Sequence, residues 1–341
     1  MIRTLSRAFS TIILLALIVS CGDIDEPTFD SIIDEDETFG IRGDLSLRDY
    51  EQIGNNAAPF NTSEYPDFSS VVSFAYSLDG SDEFDYSASG VLISPEWILT
   101  AGHNFYVSED QNTPAPASGI VVVLGNNPND FSKEIDIESL TFFPTWLEDD
   151  AVYGNANDLC LVKLKSPITS ITPAKLLKET SERIGSTTWA AGFGDYSQQP
   201  GQDAEAYSLR HATSNTLDRV ASGISSTSSS GTFTGGLLAF DFDSPSGTIN
   251  SLGDDYISDD EPLLGTGTSS PIPVTYEGSA VEGDSGGPLF LQIGNEWLVA
   301  GILSGSVGEP FIGHQPNSYG EIDVFIRVSL AYDWIQEVTG L

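Results

Sequence analysis

Cysteine is nearly absent from this 341-residue chain: Cys21 and Cys160 are the only two. At most one disulfide could form, which excludes a scaffold stapled by several bridges. Histidine is as scarce, so an imidazole base must be His103, His211 or His314. Cations are few as well, with 13 Lys and Arg against 50 Asp and Glu and a formal net charge of −37. That balance argues against nucleic acid or an anionic lipid surface as partner. The apolar run from Ile12 to Val19, preceded by Arg3 and Arg7, is too short for a spanning helix of about 20 residues and reads as a secretory signal. The acidic stretch from Asp254 to Glu261 lacks the spacing of an EF-hand loop, and no internal repeat is visible.

What the chain does contain is the run Glu282 to Phe290, EGDSGGPLF. Ser285 is a candidate nucleophile. A serine hydroxyl attacks a carbonyl only if a base takes its proton and backbone donors receive the developing oxyanion. Gly283, Gly286 and Gly287 give the main chain the freedom to aim the amides of Gly283 and Ser285 at one oxygen. The same run also fits the G-x-S-x-G nucleophile elbow of α/β-hydrolases, in which acid and histidine follow the serine. Only His314 follows Ser285, and no alternation of strands and helices surrounds it. His103, by contrast, closes the segment SGVLISPEWILTAGH, in which two short apolar strands flank a Ser-Pro-Glu turn. Asp158, in NDLCLVKL, stands at the mouth of another apolar strand. The chain order His103, Asp158, Ser285 is that of chymotrypsin-type enzymes.

With LTAGH, NDLCLVKLKSPI, GFG at Gly192 to Gly194, GDSGGP, GILSGS from Gly301 and DVFIRVSLAYDWI from Asp323, the chain resembles trypsin-like serine endopeptidases of the bacterial kind. The resemblance implies an all-β fold: two six-stranded antiparallel β-barrels of chymotrypsin type, with the active site between them and a C-terminal helix. Runs such as Val121 to Leu124, Leu159 to Leu164, Leu237 to Phe242 and Trp297 to Leu303 are compatible with such strands, and Leu330 to Val338 alone reads as a helix. It further implies a catalytic triad of His103, Asp158 and Ser285, an oxyanion hole at Gly283 and Ser285, and support of Asp158 by Ser304. No cofactor or metal is called for. A protease fold that has lost catalysis and serves as a surface binding protein is the competing reading.

Asp284 is costly to bury without a partner. In the resembling enzymes the partner is a new α-amino group made by proteolytic activation. The best match here is Ile53 in QIGNN, implying a zymogen cut after Gln52 by an activating protease. The specificity pocket would draw on Ser279, Ser304, Gly305, Ser306 and Asp323. Ser279 stands where enzymes that cut after Lys or Arg carry an acid. Asp323 either supplies a carboxylate to the opposite pocket wall, favouring a basic residue before the scissile bond, or faces solvent at a loop end and leaves an apolar preference. Leu303 and the rim residue Glu282 argue against cleavage after glutamate.

These readings divide the chain into a signal peptide at 1–20, an acidic tether and propeptide at 21–52, and a protease domain at 53–341, with barrels at roughly 53–175 and 176–341. The signal ends in Ile18-Val19-Ser20-Cys21, which resembles a lipoprotein box with Cys21 as the lipidated residue; ordinary cleavage and secretion is the alternative. The expected membrane contact is therefore a lipid anchor alone, and the expected partners are a protein or peptide substrate and the activating protease. With Cys21 lipidated, Cys160 has no partner and is expected to be a buried small hydrophobe. Asn104 replaces the usual cysteine beside the catalytic histidine, so the fold is expected to rest on its cores. Ser222 to Gly236, rich in serine and glycine, reads as a flexible insertion.

Overall fold

A computed structural model describes residues 37–81, 84–106, 113–146, 156–197, 202–203, 209–229, 231–253, 264–307 and 314–341. The signal peptide, Cys21 and the acidic stretch 254–261 lie outside the described residues. The chain opens with β1 (Glu37–Thr38) and a helix α1 (Leu47–Gly54), then forms six strands: β2 (Val71–Tyr76), β3 (Tyr86–Ser94), β4 (Trp97–Thr100), β5 (Ile120–Val123), β6 (Glu134–Phe142) and β7 (Cys160–Leu164). These close into an antiparallel barrel in the order β2-β3-β4-β7-β6-β5. Its interior is apolar, filled by Val72, Phe74, Leu92, Ile98, Phe105, Val122 and Val162. Closure hydrogen-bonds every strand edge and leaves none open to another chain.

The second half contains β8 (Thr187–Gly192), β9 (Gln202–Asp203), β10 (His211–Thr216), β11 (Arg219–Val220), β12 (Ile224–Ser228), β13 (Gly231–Gly235), β14 (Leu237–Asp241), β15 (Pro288–Ile293), β16 (Glu296–Val307) and β17 (Ile322–Arg327), followed by helix α2 (Val328–Thr339). Seven of these strands form one sheet in the order β10-β8-β15-β16-β17-β14-β11. Its two edges, β10 and β11, are consecutive pieces of a single strand path bent at Leu217 and Asp218. The sheet therefore curls on itself along six strand paths, and the chain has the two-barrel, chymotrypsin-type architecture. Helix α2 buries Val328, Ala331, Tyr332 and Ile335. Its start is pinned by the fork of Arg327, which donates to both carboxylate oxygens of Glu182 at 2.8 and 2.6 Å. The Ser329 hydroxyl donates to the same carboxylate at 2.6 Å, which places negative charge at the positive end of the helix.

Two segments depart from expectation. Residues 39–54 are not tether: Phe39, Ile41, Tyr50 and Ile53 are fully buried against the second barrel, and the Tyr50 hydroxyl donates to the Glu277 carbonyl at 2.9 Å. Acidic composition upstream hid an amphipathic turn whose apolar residues, Leu47, Tyr50 and Ile53, fall on one helical face. The serine-rich stretch is not a loose insertion either. Its strands β12 and β13 pair in register as an antiparallel hairpin, and Phe233 packs edge-on against Phe143 with centroids 5.5 Å apart. Alternating Thr side chains pair across the hairpin, such as Thr227 with Thr232, so a polar composition still gives a ladder.

Candidate active site

His103 lies in a single 3-10 turn, His103–Phe105, directly after β4, and Asp158 lies just ahead of β7. Pairing of β4 with β7, with Thr100 opposite Cys160, brings the two together. Asp158 Oδ1 accepts the backbone N–H of His103 at 2.8 Å and Oδ2 sits 2.7 Å from its Nδ1. The Ser304 hydroxyl, from β16 of the second barrel, donates to the same Oδ2 at 2.6 Å. Three donors thus satisfy a carboxylate that is 1% exposed. Because Nδ1 is committed to Asp158, the atom able to take a proton is Nε2, on the opposite edge of the ring.

The loop that carries Ser285 is tied to this turn through its main chain. The Ser285 carbonyl accepts from Asn104 Nδ2 at 3.2 Å and from the Ser89 amide at 2.9 Å. Ser89 also donates its hydroxyl to the Gly283 carbonyl at 2.8 Å and accepts from the Phe193 amide at 3.0 Å. Asn104 makes a further bond to Thr100 Oγ1 at 3.2 Å. The position where a cysteine is usual thus holds a side chain that joins the His103 turn to Ser285. The expectation that the cores alone hold this region is corrected: hydrogen bonds across the barrel interface do part of it. Cys160 is buried, as the composition suggested, and burial pushes its thiol well above the usual range.

Gly283 has φ 95°, in the left-handed region that a side chain disfavours. The carbonyl of Glu282 accepts the Asp195 amide at 3.0 Å. A trans peptide directs its C=O and N–H to opposite sides, so the Gly283 amide points away from Asp195. Glycine is required twice more beside it. A Cβ on Gly192 would stand 2.2 Å from Asp284 Oδ1, and one on Gly194 would stand 2.8 Å from Oδ2.

Asp284 is buried, and its surroundings differ from the expected ion pair. Oδ1 accepts the Gly194 amide at 2.9 Å and lies 3.1 Å from His211 Nε2; Oδ2 accepts the Tyr196 hydroxyl at 2.5 Å and the Val281 amide at 3.1 Å. The His211 contact is a close approach rather than an aligned hydrogen bond. Burial alone would push this carboxyl up, but the imidazole of His211 together with the Tyr196 and Val281 donors brings it below the usual carboxylate range. Ile53 sits inside α1, with its carbonyl accepting from Asn56. In the uncut chain the structure brings Asp284 to His211 and Tyr196 and not to Ile53. Sequence reasoning missed both residues. Tyr196 lies 88 positions from Asp284, and only its place just after GFG hinted at a role.

Ser279, Ser306 and Asp323, the residues read as candidates for a specificity pocket, converge. Asp323 is 0% exposed, which removes the reading of a solvent-facing loop end. On β17 it lies opposite Ser306 of β16. Its Oδ1 accepts the hydroxyls of Ser279 at 3.1 Å and Ser306 at 2.8 Å, and its Oδ2 accepts the Ala280 amide at 2.8 Å. Burial pushes its carboxyl up to about 7, against the pull of those three donors. Ser304 and Gly305 precede Ser306 on the same strand, and Glu282 is exposed. Among the described residues, no group of three or more His, Cys, Asp or Glu side chains is placed to hold a metal ion.

Comparison with known proteins agrees with this geometry. The family model described as Trypsin matches residues 61–248, a stretch that holds His103 and Asp158 and ends before Ser285. The chain is 26% identical over 267 residues to complement C1s subcomponent of Sus scrofa, covering 73% of this chain and 32% of that protein, so it spans about a third of that relative's length. It is also 26% identical over 261 residues to brachyurin of Leptuca pugilator, covering 75% of this chain and 89% of that protein.

Proposed function

Because this chain belongs to the trypsin family, we propose that it is a serine endopeptidase that cleaves peptide bonds through an acyl-enzyme. The observation that carries the reading is the convergence on Asp158 of the His103 main chain, the His103 ring and Ser304, with the Ser285 carbonyl tied to the next residue, Asn104. Ser285 attacks the peptide carbonyl while His103 Nε2 takes its proton, and His103 returns that proton to the leaving amine. Water then hydrolyses the ester by the same route. Asp158 holds the ring in the tautomer that keeps Nε2 available and offsets the imidazolium charge. The amides of Gly283 and Ser285 receive the oxyanion, and Gly283 is aimed by the anchoring of the preceding carbonyl on Asp195.

A basic residue before the scissile bond suits a buried carboxylate at position 323 bracketed by Ser279 and Ser306. Two unit charges about 4 Å apart at an effective dielectric near 20 attract by roughly 4 kcal/mol before desolvation is charged against them. The N-terminal pattern fits export, with lipidation at Cys21 anchoring the chain to a membrane. An active-site phosphonate tests the catalytic reading. Covalent labelling at Ser285, abolished in Ser285→Ala, is expected; folded protein that stays unlabelled would mean a silent protease fold that binds without cleaving.

A further inference from the structure

Asp284 needs a counter-charge, and the uncut chain places an imidazole beside it. His211 is 1% exposed, and each of its ring nitrogens lies near an oxygen. Nδ1 lies 3.3 Å from the Leu209 carbonyl and Nε2 lies 3.1 Å from Asp284 Oδ1. A carbonyl and a carboxylate can only accept. The Asp284 contact contains no aligned hydrogen bond, so what His211 can supply there is positive charge at short range. The Tyr196 ring packs against the imidazole with centroids 3.9 Å apart and planes inclined by 71°, while its hydroxyl donates to the other oxygen of the same carboxylate. His211 and Tyr196 therefore grip Asp284 from two sides.

We propose that His211 is a positioning residue whose imidazolium, seated by Tyr196, fixes Asp284 and so holds the Glu282–Gly283 peptide in its oxyanion-binding orientation in the intact chain, without a new N-terminus. The inference rests on the endopeptidase reading above. The loop from Val281 to Ser285 is braced at each step. Asp284 accepts from Val281 and Gly194, the Glu282 carbonyl takes the Asp195 amide, and the Gly283 carbonyl takes the Ser89 hydroxyl.

The uncut N-terminal segment supports the clamp from behind. Gly40 leaves no room for a side chain between Val281 and Tyr196, where a Cβ would stand 2.5 and 2.8 Å from them, and its carbonyl accepts the Ser279 amide at 2.8 Å. At Gly54 a Cβ would meet the His211 main chain at 2.6 Å. Scission after Gln52 would cut through α1, the element packed against the strand that carries His211. The other charge on that path, Arg210, is spent on the carbonyls of Gly54, Val71 and Gly125 and does not reach Asp284.

The test is made on the full chain. Intact protein is treated with an active-site phosphonate, and the mass of the labelled species shows whether residues 39–53 remain continuous. His211→Gln and Tyr196→Phe are then compared with the parent for kcat, KM, and affinity for two peptides: an aldehyde, whose oxygen enters the oxyanion hole once it has added to Ser285, and the corresponding product acid. We expect the uncut chain to be labelled. His211→Gln should lower kcat about 100-fold, the cost of losing one oxyanion donor. It should weaken the aldehyde by a similar factor and leave KM and product affinity within about threefold. Tyr196→Phe should show the same pattern at about tenfold. General damage to the fold would weaken both peptides alike. Labelling only after scission at Gln52, or full kcat in His211→Gln, overturns the proposal. If His211→Gln does not fold, unchanged kcat in Tyr196→Phe overturns it instead. Protein that is labelled neither cut nor uncut fails earlier, on the endopeptidase reading itself.

Discussion

The two barrels share a topology and differ in what they bury. Among the described residues, Asp158 is the one charged side chain buried in the first barrel, and it belongs to the cluster with His103 and Ser304. The second barrel buries Asp218, Asp241, Asp243, Glu277, Asp284 and Asp323 together with Arg219 and Arg327. The first barrel is thus an apolar frame that holds a histidine and an acid at one end. The second surrounds its share of the site with ionisable groups, so its packing and its chemistry depend on the same protons. The difference teaches where this protein can be perturbed by pH and where only by volume.

The comparison is broken most severely at the junction of the two barrels. Ser285→Ala is expected to lower peptidase activity by on the order of 10⁴-fold or more, because triad members act as a unit. Steady-state cleavage of a peptide substrate measures it. Retention of most of the rate would dissociate the cluster at Asp158 from catalysis.

Next comes the proposed specificity pocket. Asp323 titrates at about 7, so its carboxylate is neutral below that pH and charged above it. Preference for Lys or Arg over an apolar residue before the scissile bond should rise across neutrality. Asp323→Asn should flatten that rise and reduce the preference at least tenfold at pH 8, given the size of the attraction that is lost. A peptide library profiled at pH 6 and 8 reads both effects, and an unchanged profile would remove Asp323 from substrate recognition.

Asn104→Ala removes two hydrogen bonds, one of them to the Ser285 carbonyl. At about 1 kcal/mol for each, kcat/KM should fall by up to about 30-fold while the first barrel keeps its near-ultraviolet signature. Full activity would show that Asn104 is dispensable and that the Ser89 bonds and packing suffice to position the interface.

The smallest effect sharpens the contrast in pH response. Burial, reinforced by neighbouring acids, pushes Asp218 and Asp243 up to about 9 and Glu277 up to about 7. Between the unfolded value near 4 and those values the folded chain binds more protons than the unfolded one, so stability falls as pH rises through that window. Asp284 and Glu182 are shifted down and act in the opposite direction, losing their contribution as pH falls below the usual carboxylate range. Asp243→Asn should therefore raise Tm at pH 9 and leave it near the parent's at pH 5. A chain of this size shifts by about 2–4 °C per kcal/mol. Equal Tm gains at both pH values would mean that the benefit is not electrostatic.

Much of this was readable along the chain. The strands around His103, Asp158 and Ser285 carry their own apolar runs, and Val121 to Leu124 and Trp297 to Leu303 fall within one residue of β5 or inside β16. Helix α2 extends two residues before and one beyond the span read from its periodicity. What escaped had no local pattern. Helix α1 is short and follows an acidic stretch, and only contact with the second barrel gives its apolar face something to bury against. The β12–β13 hairpin is made of serine, threonine and glycine, and its order comes from pairing and from Phe143. Asp323 could not be placed because the neighbours that bury it, Ser279 and Ser306, lie far off in the chain.

By itself the sequence named a candidate nucleophile, base and acid and the order in which they occur, since the chemistry of attack needs particular residue types in particular local settings. Tertiary structure alone decided what surrounds Asp284 and what surrounds Asp323. Burial of a charge is settled by whichever donors the folded chain brings within about 3 Å, and nothing in the spacing of His211, Tyr196 and Asp284 along the polymer encodes that distance.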